Sequence, residues 1–88
     1  MQIHAVVAIV VIIAGIVRHL SGIQWVAITI AIGLVLICEA FNTSIEMLCD
    51  LYTKEYNPTI KMIKDISAAG VLIASLVSVV IGIFVFFF

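Results

Sequence analysis

Apolar residues fall into three long runs separated by two short polar stretches. The first run, Ile3 to Val17, is closed by Arg18-His19-Leu20-Ser21-Gly22. Its fifteen residues would make a helix of about 22 Å, somewhat less than the ~30 Å hydrocarbon core of a bilayer. Ser21-Gly22 predicts a tight turn between two helices. The second run opens at Ile23 and stays apolar to Cys38, and its helical pattern then continues, with polar residues on one side, through Asp50. About 28 helical residues exceed the bilayer, so the last turns are expected to emerge into water or a polar cavity. Trp25 lies near the start of this helix, where an indole favours the membrane interface.

Leu51 to Asn57 is the most polar connection. Asn57-Pro58 is a helix-start signal, because Asn caps free N–H groups and proline at the first helical position loses no hydrogen bond. A third helix is predicted from Pro58 to the end, and Ile66 to Phe88 is long enough to span. The pattern therefore predicts one all-α integral membrane domain over residues 1–88, with spans at about 3–20, 23–50 and 58–88.

Composition agrees. Of 88 residues, 66% are hydrophobic and 10% charged, too little polar surface to keep a soluble domain of this size dispersed. A net charge of -1 offers no basic footprint for nucleic acid. Cys38 and Cys49 lie about 16 Å apart along one helix and cannot bond to each other, so buried free thiols are expected. The N-terminus lacks the basic region and small-residue cleavage site of a signal peptide, and is taken as a mature span. Lys54, Lys61 and Lys64 surround the second connection while the first has only Arg18. The positive-inside rule puts the second connection and the N-terminus in the cytoplasm and the C-terminus outside.

The chemistry is concentrated in the stretch from Glu39 to Asp50. At 100° per residue Glu46 and Asp50 fall within about 20° on either side of Glu39, with Asn42 and Thr43 beside them. A charge at the bilayer centre costs roughly 2.5–3.5 kcal/mol on insertion scales, so such residues persist when they face a cavity, a metal or a substrate. The plainer alternative is solvation beyond the membrane surface, which suits Asp50 better than Glu39, since Glu39 directly follows the apolar run. Like charges on one face also call for a cation, either a divalent metal or the lysines across the loop. Lys64-Asp65, two turns into the third helix, fits a phosphate contact; snorkelling to the interface fits it equally well, and spacing does not choose. Ala68, Val71, Ser75, Ser78 and Gly82 form a small-residue stripe, a packing surface within the chain or between subunits. His4 and His19 are sequence-remote from the acids and are expected to be interface histidines. GxxxxGK(S/T), GxGxxG and HExxH motifs are absent, and no Ser-His-Asp arrangement assembles.

Glu39-Ala40-Phe41-Asn42-Thr43-Ser44-Ile45-Glu46-x3-Asp50, then Glu55-Tyr56-Asn57-Pro58, then Lys64-Asp65-Ile66-Ser67-Ala68-Ala69, resembles the prokaryotic diacylglycerol kinase family, which includes the undecaprenol kinases. The combined pattern ExxN(S/T)xIExxxD with a following KD is far more specific than any single element. The resemblance covers essentially the whole chain, although the first span contributes only hydrophobicity. It implies a homotrimer of three-span subunits in the bacterial inner membrane that moves the γ-phosphoryl group of MgATP onto a lipid hydroxyl. By motif position it implies Glu39 as general base, Asn42 as its support and Glu46 as a ligand of the ATP-bound magnesium. Glu55, Tyr56 and Asn57 match a nucleotide-contacting segment in which the family often has histidine at the third position, and Lys64 and Asp65 match further ATP contacts. The family also carries about thirty residues before the first span, with a surface helix, a second metal-binding glutamate and a nucleotide-contacting arginine. This chain opens at Met1-Gln2-Ile3-His4, near where that segment ends, so one of the two family metal ligands is expected here.

The leading function is thus an ATP-dependent lipid kinase acting on diacylglycerol or undecaprenol, with Thr43 and Pro58 leaning toward the undecaprenol branch. Two alternatives are a small carboxylate-based transporter and a catalytically inactive, truncated family member serving in assembly. Acids gathered toward one end of a span, rather than mid-membrane, speak against the transporter.

Overall fold

The computed structural model describes residues 2–88, with side chains from Ile3 onward, so Met1 of the expected 1–88 domain lies outside the described residues. Three helices follow one another: α1 (Gln2–Arg18), α2 (Gly22–Tyr52) and α3 (Pro58–Phe87). No strand occurs among the described residues, and the all-helical expectation holds. α2 and α3, at 31 and 30 residues, run about 45 Å each and are long and apolar enough to cross a bilayer. α1, at 17 residues, reaches about 25 Å. Large aliphatic and aromatic side chains stand exposed along all three helices, from Ile3 and Val10 to Leu76 and Phe87. A surface of that kind belongs in lipid: this is a membrane protein.

The first reversal differs from the expected Ser21-Gly22 turn. α1 closes in a Schellman motif, with His19 in the left-handed region at φ 54°. The Leu20 N–H donates to the Gly15 carbonyl and the His19 N–H to the Ile16 carbonyl, both at 3.3 Å. Ser21 is the N-cap of α2, and Gly22 is already helical. Ser21 Oγ accepts from the Gln24 N–H while Gln24 Oε1 accepts from the Ser21 N–H, a capping box that satisfies two otherwise orphaned donors. The second connection follows expectation. Asn57 Oδ1 accepts from the N–H groups of Thr59 and Ile60 at 2.9 and 3.2 Å, with Pro58 next to it.

α2 and α3 pack side by side, antiparallel, over most of their length. Their seam buries Ile28, Ala31 and Val35 on α2 and Ala74 on α3. The small-residue stripe of α3 is this intrachain seam at Val71, Ser75, Ser78 and Gly82, all half-buried, whereas Ala68 is exposed and lies beyond it. Ser78 Oγ donates to the Ala31 carbonyl at 3.0 Å, which requires the backbones to approach closely. At the end carrying the α1–α2 turn, Arg18 donates to the Phe86 carbonyl (2.8 Å) and Gln24 Nε2 to the Val85 carbonyl (3.3 Å). These side chains satisfy carbonyls of the last turn of α3, which have no partner within their own helix.

α1 meets α2 over a much smaller surface. An apolar cavity of about 340 Å³ lies among the three helices, between His4 at one end and Phe86 at the other. α1 is nevertheless anchored at Gly15: a Cβ there would stand 2.7 Å from Trp25 Cη2 and 3.0 Å from Leu20 Cδ1. Gly15→Ala should therefore lower stability by about 1 kcal/mol, because overpacking costs about 1–3 kcal/mol and improved helix propensity returns about 1. Trp25 is the sole tryptophan, so its fluorescence during thermal unfolding in detergent reports the site. Unchanged emission and midpoint would contradict the packing.

Candidate functional site

The polar residues gather at the end of the molecule opposite the Arg18 and Gln24 contacts. The buried positions Ile28, Val35 and Cys49 recur every seven residues on α2, and Asn42 falls in the same series. Glu39 and Glu46 follow Val35 and Asn42 by four residues, about 40° to the side of that seam. The acidic stretch thus continues the packing face of α2 rather than pointing into lipid. Asn42 is half-buried, and its Oδ1 has no hydrogen-bond partner among the described residues. Glu46 is exposed.

Lys64 crosses from α3 and donates to Asp50 Oδ1 at 2.7 Å. Of the two cations that the acidic stripe calls for, a metal or a lysine, the one beside Asp50 is a lysine. Both groups lie beyond the apolar runs, which end at Cys38 on α2 and begin at Ile66 on α3. The hydrogen bond from Lys64, helped by nearby Lys54, holds the Asp50 carboxyl below its ordinary value. The same bond, with Glu46 adding to it, holds the Lys64 ammonium above its own.

Asp65 does not join that cluster. It pairs with Lys61 at 2.7 Å, one turn back on the exposed surface of α3, a spacing of i, i+4 that the sequence already contained. Glu55 and Tyr56 are exposed, and the Glu55 N–H donates to Thr53 Oγ1 at 3.1 Å. The Asn57 side-chain carbonyl is occupied in capping α3. Among the described residues no group of three or more His, Cys, Asp or Glu is placed to hold a metal ion. Both cysteines are free, Cys49 buried and Cys38 half-buried.

One residue was misplaced by sequence reasoning. His4, expected at the interface, has its Nδ1 2.5 Å from Glu39 Oε1, and both side chains are largely shielded, at 30% and 14% exposure. The signal was present in the hairpin register. His4 stands seventeen residues before Ser21 and Glu39 eighteen after it, so antiparallel helices of equal rise bring them level.

The arrangement presents one carboxylate beside an imidazole at the boundary of the apolar run, a second exposed carboxylate two turns on, and a lysine from the facing helix. The family model for prokaryotic diacylglycerol kinase matches residues 1–86. The chain belongs to that family. It is 38% identical over 85 residues to the undecaprenol kinase of Bacillus subtilis (strain 168), covering 97% of this chain and 69% of that protein. It is 33% identical over 82 residues to the diacylglycerol kinase of Synechocystis sp. (strain ATCC 27184 / PCC 6803 / Kazusa), covering 92% of this chain and 47% of that one. No solved structure matches it. By family the chain is a membrane lipid kinase, which sets the transporter alternative aside.

Within this kinase family member, Asn57 has two separable assignments, capping and nucleotide contact. Asn57→Ser retains a capping oxygen and should keep the unfolding midpoint, whereas Asn57→Ala should lose about 1 kcal/mol. If the side chain also touches nucleotide, both variants raise the KM for ATP. A stable alanine variant would show that the cap is not holding α3.

Proposed function

We propose that this chain transfers the γ-phosphoryl group of MgATP to the hydroxyl of a membrane lipid, with undecaprenol the first candidate and diacylglycerol the second. The observation that carries the reading is the meeting of Lys64 with the acidic end of α2, level with the polar connection and away from the capped end. The higher identity and fuller coverage of the undecaprenol kinase, together with Thr43 and Pro58, support the order of substrates.

Phosphoryl transfer asks mainly for positioning and charge neutralisation. Glu39, at the edge of the apolar run, meets a hydroxyl whose lipid tail lies in the bilayer, and accepts its proton. The freed oxygen attacks the γ-phosphorus; the new O–P bond forms as the bond to the β-phosphate oxygen breaks, and ADP leaves. Lys64 offers the phosphates a compact positive charge. At rest it is held by Asp50 in a solvent-exposed pair, the kind that contributes little and yields readily to a polyanion. Glu46 would hold the magnesium ion. A single exposed carboxylate fits an ion that arrives already coordinated by the triphosphate, because magnesium keeps phosphates and waters as most of its shell. Such an ion neutralises charge on the β- and γ-phosphates. Glu39 and Glu46 are about 10 Å apart along the helix, which leaves room for the lipid hydroxyl at one and the phosphates at the other. Asn42 supports Glu39 from the seam, while Glu55, Tyr56 and Asn57 line the nucleotide side, which Asp65 joins only by leaving its pair with Lys61. Three copies assemble in the inner membrane, each crossing it with three helices and with the polar connection in the cytoplasm.

Reconstitution in bilayers with MgATP and either undecaprenol or diacylglycerol tests this directly. Labelled γ-phosphate should appear in lipid, and more of it with undecaprenol. Glu39→Gln should lower kcat by a factor of about 10²–10⁴ while leaving assembly intact. A Gln variant with full turnover would refute the role of Glu39.

A further inference from the structure

Asn42 flanks Glu39 on α2 itself, and a base on one helix is oriented more firmly by a second group from another. Glutamate has three side-chain torsions, and a base that must meet a hydroxyl in one geometry gains from having them fixed in advance. His4 is the described residue of α1 that reaches Glu39, at 2.5 Å from Nδ1 to Oε1. It is also the ionisable member of the cavity lining, beside Val7, Ala8, Val35 and Leu36, where the other polar side chains, Ser75 and Ser78, donate to backbone carbonyls. Its Nδ1 can carry a proton toward a carboxylate in the neutral or the charged form. α1 has only a slight surface on α2, so a polar contact at its far end complements the Gly15–Trp25 contact near the turn.

We propose that His4 is a positioning residue for phosphoryl transfer: its Nδ1–H holds the Glu39 carboxylate in the orientation that accepts the proton of the lipid hydroxyl. The proposal rests on the reading of Glu39 as the base. It also gives α1 a part in the reaction, since the histidine arrives on a helix whose other polar contact, Arg18 with the Phe86 carbonyl, lies at the opposite end of the molecule. His4 takes no proton from substrate and touches none of the reacting atoms.

The test uses the full chain reconstituted in bilayers with MgATP and undecaprenol. His4→Leu removes the donor while keeping bulk and should lower kcat about tenfold to hundredfold, with KM for ATP and lipid changed less than about twofold. His4→Asn places an amide N–H near the Nδ1 position and should recover most of the lost kcat. In a Glu39→Gln background the His4→Leu change should cost nothing further, because the group it positions is gone. A His4→Leu enzyme at full speed beside an inactive Glu39→Gln enzyme overturns the positioning role and leaves the base intact. A loss that His4→Asn does not relieve, with circular dichroism and oligomer size unchanged, also overturns it. A fully active Glu39→Gln enzyme overturns both assignments together.

Discussion

Backbones in hydrocarbon can approach closely only where side chains are small, and α2 and α3 satisfy that condition along one seam. Ala31 and Ala74 are buried there, and Ser78 reaches the Ala31 carbonyl. A hydroxyl bound to a backbone carbonyl of the other helix admits little sliding. The Gln24–Val85 contact at one end and the Lys64–Asp50 contact at the other keep the same antiparallel register. The seam therefore decides which α3 residue stands opposite each acid of α2. A shift of one turn, about 5.4 Å, would remove Lys64 from Asp50 and break the pair between the two helices.

The ends of the molecule divide the remaining work. At the α1–α2 turn, Arg18 and Gln24 spend their donors on the last carbonyls of α3, closing that end in backbone hydrogen bonds. At the opposite end the polar side chains face one another instead: His4 with Glu39, Asp50 with Lys64, Lys61 with Asp65. Charges that would be expensive in lipid are tolerated there because each has a partner or water. Groups of the same kind are what the proposed reaction asks for, so the membrane's constraint on charge and the requirement of that reaction coincide at one end of the molecule.

Much of this was legible in the sequence. Long apolar runs, the Asn57-Pro58 start and the polar connection placed all three helices, because hydrophobic length and capping act locally. The motif stretch on α2 and Lys64 on α3 were legible as residues, and their meeting followed from a short connection between long antiparallel helices. Three features were hidden because they depend on register or conformation beyond one helix. His4 looked remote from Glu39 until the first hairpin was folded. The reversal falls on His19 in a left-handed conformation, although Ser21-Gly22 carries the stronger turn composition. Gly15 matters because Trp25 from the next helix occupies the space of its missing side chain. Asp65 is a different case, since its pairing with Lys61 stood in the sequence at helical spacing and was passed over in favour of the adjacent lysine.

The central claim is that nucleotide docks where the acidic end of α2 meets Lys64. Paramagnetic broadening of amide resonances by MnATP, on the chain in a bilayer mimetic, locates the ion and its phosphates directly. The expected result is strong broadening at Glu46, Asp50 and Lys64, with Arg18 and Gln24 at the far end of the molecule unaffected. Equal broadening at both ends, or none at millimolar MnATP, would contradict the account.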